Sequence, residues 1–100
     1  MIIFVDIDDT ICYRKDTTLD YSKAFPYKER IEKINSLYDK GDTIVYWTAR
    51  GTKTGIPWFH TTYKQLQEWG CKFHELRMGK PVYDLFIDDK NICSDTFFMK

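Results

Sequence analysis

Ile2-Ile3-Phe4-Val5 runs directly into Asp6-Ile7-Asp8-Asp9-Thr10. The apolar half is short and rich in β-branched residues, which is how a buried strand reads. The acidic half follows without a spacer. A second stretch repeats the arrangement, with Tyr83-Asp84-Leu85-Phe86-Ile87 leading into Asp88-Asp89-Lys90. Of the chain's 15 acidic residues 11 are aspartate, and six of those 11 lie in these two segments. Charge that serves solubility is scattered, often as glutamate and lysine on helices. Aspartates clustered at strand ends are a different pattern.

Working outward, the elements alternate. Residues 10 to 26 are polar and mixed and close on Pro26, which reads as a long loop or a small hairpin. From Tyr27, apolar residues recur at Ile31, Ile34, Leu37 and Tyr38, a helical spacing that Gly41 stops. Thr43 to Trp47 is a second buried strand, and residues 51 to 57, with two glycines and a proline, are loop. Phe59, Tyr63, Leu66 and Trp69 form the stripe of a second helix that ends at Gly70. Cys71 to Leu76 reads as a short third strand and Tyr83 to Ile87 as a fourth. Strands alternating with helices imply βαβ units. The expected fold is a small three-layer, Rossmann-like α/β domain, a short parallel sheet flanked by helices. Its 100 residues make one domain, 1–100.

In such sheets the ligand crevice lies beyond the carboxyl ends of the strands. Those ends carry Asp6 and Asp8, then Thr48-Ala49-Arg50, then Arg77 and Lys80, then Asp88 and Asp89. One carboxylate of a close pair can attack while the other donates and accepts a proton. Alone the DxD is a weak signal, because aspartate is a common turn residue. Four carboxylates brought together repel unless a cation neutralises them. Magnesium suits them: it is a hard ion that takes oxygen ligands and leaves room for phosphate and water. Thr48 and Lys80 add the hydroxyl donor and positive charge that a phosphoryl group needs. Jointly these residues are far more specific than any one of them.

At these residues the chain resembles the haloacid dehalogenase superfamily. Asp6-Ile7-Asp8-Asp9-Thr10 is similar to that family's first motif, DxDx(T/V), and Thr48 ends a hydrophobic strand as its second requires. Lys80 matches the third motif and Asp88-Asp89 the acidic pair of the fourth, in family order. The stretch from Gly79-Lys80-Pro81 to Lys90 is similar to small capless members, some of them associated with capsular or surface-sugar biosynthesis. The resemblance implies a phosphomonoesterase that uses Mg2+ and works through an aspartyl-phosphate. In it Asp6 is the nucleophile, and Asp8 is the general acid and then base, with its backbone carbonyl on the metal. Thr48 holds a phosphoryl oxygen, with Ala49 and Arg50 beside it in the substrate site. Lys80 offsets charge and holds Asp6, and Asp88 and Asp89 complete the metal set, Asp89 the preferred direct ligand. Capped relatives insert a domain between the first three motifs. Here a loop and one helix fill the first gap, and a loop, one helix and a short strand the second, so no cap is expected. The family core usually carries a further strand after the acidic pair, and Ile92-Cys93 stands where a remnant of it would be.

Composition narrows the partners. Lysine plus arginine equals aspartate plus glutamate, for a net charge of zero. A neutral chain gives no electrostatic reason to expect nucleic acid or an anionic membrane, although it does not exclude nucleic acid. No apolar run is long enough to span a bilayer, and the strand-like run after Met1 leaves no space for a signal peptide. Cys12, Cys71 and Cys93 form no CxxC and read as small core or surface residues, in keeping with a reducing cytoplasm. His60 reads as surface, His74 as structural, and Trp47 and Trp69 as core. Trp58 reads equally as core or as a platform for substrate. Phe97-Phe98-Met99 reads as a segment that docks on the core or buries in a dimer. The expected substrate is a small phosphorylated metabolite such as a sugar phosphate, handled by a monomer or small homo-oligomer. The alternative is a phosphatase of a macromolecular end, a polynucleotide 3′-phosphate or a phosphoprotein. A receiver-type signalling domain also gathers Asp, Thr and Lys at strand ends. Its order, acidic pair first and lone Asp second, is not the order here.

Overall fold

The computed structural model describes residues 1–15 and 20–99. β1 (Ile2–Val5), β4 (Thr43–Trp47) and β5 (Glu75–Arg77) form a parallel sheet in the order β1-β4-β5. A hairpin of β2 (Cys12–Tyr13) and β3 (Phe25–Pro26) follows β1, with a 3-10 turn at Tyr21–Lys23 between its strands. α1 (Lys28–Asp39) links the hairpin to β4, α2 (Phe59–Glu68) links β4 to β5, and α3 (Ser94–Phe98) comes last. The fold is thus a small Rossmann-like α/β domain, a parallel sheet flanked by helices. Neither connection between the sheet strands holds an inserted cap among the described residues.

Register explains the core. Ile3 pairs with Ile44 and Val5 with Tyr46, so strand alternation turns these four to one face. Val5, Ile44 and Tyr46 cluster there with Ile31 and Ile34 of α1 and Leu66 of α2. Both crossovers step across the sheet in the same direction, and right-handed crossovers then place both helices on the same face. The opposite face shows Phe4 edge-on to Trp47 at 5.7 Å, with the Arg77 guanidinium over the Phe4 ring. Both helices close as the sequence suggests. Asp42 N–H reaches Leu37 O and Cys71 N–H reaches Leu66 O, each capping a helix whose stop is a glycine.

Phe97 and Phe98 pack against the core, and α3 is tied to α1 by Arg30–Asp95 (3.0 Å) and by Lys33 Nζ to the Phe97 carbonyl. Met99 stays exposed. His60 is exposed, and His74 is structural: its Nδ1 accepts from Ile44 N–H at 3.1 Å. No helix among the described residues is long and apolar enough to cross a membrane.

Two elements differ from expectation. The third strand starts at Glu75 rather than Cys71, because the segment before it turns the chain: Cys71 N–H caps α2 and Lys72 N–H bonds Asn35 Oδ1. The expected fourth strand, Tyr83 to Ile87, is irregular and exposed. Its obstacle is connectivity. Lys80 N–H is held by Thr48 O at the carboxyl end of the sheet. A strand parallel to β1 must start from the opposite end, and parallel crossovers need about a dozen residues or more. Only Pro81 and Val82 lie between Lys80 and Tyr83.

Candidate active site

Asp6 follows the last residue of β1, and the extended chain carries Ile7 into the core while Asp6 and Asp8 share the other side. The chain then reverses in a tight turn, with Thr10 and Ile11 N–H both donating to Ile7 O. Asp9 takes a left-handed conformation (φ 61°), which aspartate tolerates better than most residues. The turn returns Thr10 so that its hydroxyl donates to Asp6 Oδ2 at 3.1 Å.

Thr48 follows β4 and is buried. Its hydroxyl oxygen accepts from Arg50 N–H at 3.1 Å, which leaves its single O–H to donate. Its backbone ties two neighbours together, N–H to Arg77 O and C=O from Lys80 N–H, each at 3.0 Å. The second bond delivers the Lys80 ammonium 3.3 Å from Asp6 Oδ1, while the same ammonium lies over the Tyr83 ring. An open cavity of about 240 Å³ is lined by Asp6, Asp8, Thr48, Ala49, Arg50 and Lys80, with Arg14, Tyr21 and Tyr83 at its rim.

A larger cleft of about 320 Å³ lies between α2 and β5, lined by Tyr38, Phe59, Tyr63, Phe73 and other residues. It contains none of these groups, and its rings pack on one another, Phe59 stacked on Tyr63 and Phe73 edge-on to Tyr63. The smaller cavity is the candidate site, because ionised groups and a hydroxyl converge there.

Arg50 behaves differently from the sequence expectation. It lines the cavity, yet it is only 2% exposed and committed to the protein. Nε and Nη2 grip the Asp8 carboxylate at 3.0 and 2.9 Å, and Nη1 reaches Thr62 Oγ1 and Gln65 Oε1. The guanidinium also lies 4.8 Å from the centre of the Tyr21 ring. It has no donor to spare for an incoming anion. The partners Thr62 and Gln65 went unread in the sequence, though a signal existed: both lie within four positions of Leu66, on the buried side of the helix stripe.

Asp88 and Asp89 are exposed and do not line the cavity, a consequence of the unformed fourth strand. Among the described residues, no three His, Cys, Asp or Glu side chains gather as a metal-binding group. The two carboxylates that do converge are each matched by a cation, Asp6 by Lys80 and Asp8 by Arg50. Repulsion among four carboxylates, the reason given by the sequence for a metal, therefore does not arise here. A different reason takes its place. The ionised groups that line the cavity, Asp6, Asp8, Arg14, Arg50 and Lys80, sum to +1, so a phosphate dianion would carry the site to −1, which a divalent cation offsets. Magnesium binds through one or two carboxylates plus substrate phosphate and water, and the Asp6 carboxylate with the Asp8 backbone carbonyl fits such an oxygen donor set.

The cysteines are free, Cys12 buried, Cys71 half-buried and Cys93 exposed. Burial, reinforced by the Asp8 carboxylate, pushes the Cys12 thiol up to about 12. Burial pushes Cys71 up to about 11. Neither is poised as a nucleophile. Trp58, half-buried, packs edge-on against Tyr21 at 5.1 Å rather than standing free at the cavity. Residues 16–19, part of the stretch read from sequence as a long loop or small hairpin, lie outside the described residues.

No protein-family model and no curated protein matches the chain. Its fold is similar to the crystal structure of an MCSG target from Vibrio cholerae, with a TM-score of 0.86 and 24% sequence identity over 99% of this chain and 88% of that one. At that identity the likeness speaks for the fold alone.

Proposed function

We propose that this protein is a phosphomonoesterase of the haloacid dehalogenase type that works through an aspartyl-phosphate. One observation carries the reading: Asp6, the Thr48 hydroxyl and the Lys80 ammonium meet in one cavity at the carboxyl end of a parallel sheet. The motif resemblance of residues 6–10 supports it.

An Asp6 carboxylate oxygen attacks phosphorus, and the bond to the leaving oxygen breaks with its electron pair. That oxygen takes a proton from Asp8, which enters this step protonated and leaves it as the carboxylate. Water then attacks the acyl phosphate and gives a proton back to Asp8, releasing inorganic phosphate and restoring Asp6. Thr10 and Lys80 hold Asp6 for the attack. Thr48 donates to a phosphoryl oxygen, and Lys80 offsets charge that grows on the transferred group. Mg2+, held by the Asp6 carboxylate and the Asp8 backbone carbonyl, would neutralise the phosphate and polarise its oxygens. The cavity, of about 240 Å³ with Tyr21 and Tyr83 at its rim, suits a small phosphorylated metabolite such as a sugar phosphate.

The test is phosphate release from an aryl phosphate, sugar phosphates, a phosphopeptide and a DNA 3′-phosphate, with Mg2+ and with EDTA. The expected result is turnover of small phosphates, lost in EDTA and abolished in Asp6→Asn, a nearly isosteric but poor nucleophile. Selective release from the macromolecular ends would favour that substrate class instead. Full activity in EDTA would remove the metal, and substantial activity in Asp6→Asn would remove the covalent mechanism.

A further inference from the structure

We infer that Arg50 is a positioning residue: it grips the general acid–base Asp8 from beneath and does not bind substrate. The inference rests on the phosphatase reading above. The grip is a two-point fork, Nε to Oδ2 at 3.0 Å and Nη2 to Oδ1 at 2.9 Å. Such a pair fixes the carboxylate plane as well as its place. The Arg50 side chain is fully buried, while that of Asp8 is 22% exposed at the cavity. The pair therefore faces one way, charge support below and an accessible carboxylate above.

The support is itself built in. Thr62 and Gln65 project from α2 onto Nη1, Cys12 Sγ lies 3.8 Å from Nη2, and the Tyr21 ring faces the guanidinium. Gln65 also donates through Nε2 to Tyr21 O at 2.7 Å. Arg50 thus joins α2, the β2–β3 hairpin and the Asp8 turn at one point. Of the side chains that meet the guanidinium, Asp8 is the charged one and takes two of its nitrogens, so the grip bears chiefly on Asp8. Asp6, by contrast, is held from the other side by Lys80 and Thr10. The nucleophile and the acid–base group have separate anchors, so they can be perturbed separately.

This separation makes the role measurable. Protonation by Asp8 matters most when the leaving oxygen is strongly basic, as in an alkyl or sugar phosphate, and least for p-nitrophenyl phosphate. The experiment compares wild type with Arg50→Lys, which keeps the charge but loses the fork, and with Gln65→Met, which loosens the fork's support. kcat and KM are measured on p-nitrophenyl phosphate and on a sugar phosphate, with folding checked by circular dichroism. Arg50→Ala is assayed with and without added guanidinium. We expect Arg50→Lys to lower kcat/KM, which reports the phosphoryl-transfer step, on the sugar phosphate about tenfold or more beyond its loss on the aryl ester, while kcat, which also includes the Asp8-assisted hydrolysis common to both substrates, falls on both. We expect Gln65→Met to do the same more weakly, and guanidinium to restore part of the Arg50→Ala activity. Equal losses of kcat/KM on both substrates would make Arg50 merely structural. A raised KM with unchanged kcat would make it a substrate ligand, and wild-type kinetics in Arg50→Lys would give it no role. Each of those results overturns the inference while leaving the phosphatase reading intact. An inactive wild type would instead overturn the reading and the inference with it. Should Arg50→Ala fail to fold, the Lys and Met variants decide the question.

Discussion

Replacing Lys80 with methionine removes a charge and little else. The unbranched stem is kept, so packing near the Trp47 and Tyr83 rings survives. Two unit charges 3.3 Å apart, as Lys80 and Asp6 are, attract by about 5 kcal/mol at an effective dielectric of about 20. That figure is gross. The Asp6 side chain is 37% exposed, so water screens most of it in the resting protein. Stability should therefore shift by no more than about 1 kcal/mol. During turnover the balance changes, because charge grows on phosphoryl oxygens beside an ammonium that is only 13% exposed. Losing one preorganised donor of this kind costs about 10²- to 10³-fold in kcat. The assay is steady-state hydrolysis of p-nitrophenyl phosphate at saturating Mg2+, alongside urea unfolding of both proteins. A Lys80→Met enzyme within about threefold of wild-type kcat, with its fold intact, would place Lys80 outside the chemistry and refute the charge argument.

Two further outcomes follow from packing and burial. The contribution of Cys12 to folding stability should be constant below about pH 8 and fall between 9 and about 12. There the unfolded Cys12 thiol ionises while the folded one, raised from 9.0 to about 12, does not. The loss from Cys12 is on the order of 4 kcal/mol over that window. Cys71, raised to about 11, and the buried Tyr46 hydroxyl, also raised, act in the same direction. Urea midpoints across that range test it, and a Cys12→Ala variant with an equally steep alkaline limb would contradict the assignment. Gly51→Ala should lower the melting temperature by roughly 5–20 °C. Gly51 has φ +80°, and a β-carbon there would run into the Ile56 carbonyl oxygen. A melting curve that superimposes on wild type would show that the loop can yield.

β1, both long helices and β4 were legible along the chain because each rests on local periodicity. Val5, Ile44 and Leu66 must be buried wherever the sheet lies, and the aspartates after β1 follow from it by adjacency. The members of the cavity were legible for the same reason: Asp6, Asp8, Thr48 and Lys80 lie just beyond strand ends, and a parallel sheet gathers those ends on one edge. What could not be read is whatever depends on the route of the chain through space. Tyr83 to Ile87 has the composition of a strand, but Lys80 is already pinned at the far end of the sheet by Thr48. Too few residues remain to return, so Asp88 and Asp89 stay outside the cavity. Arg50 looked like a substrate ligand because sequence places it beside Thr48 and says nothing of direction. Folding points it inward, where Asp8, 42 residues away along the chain, competes for it with Thr62 and Gln65. A buried guanidinium takes whichever acceptors surround it, and packing chooses those acceptors.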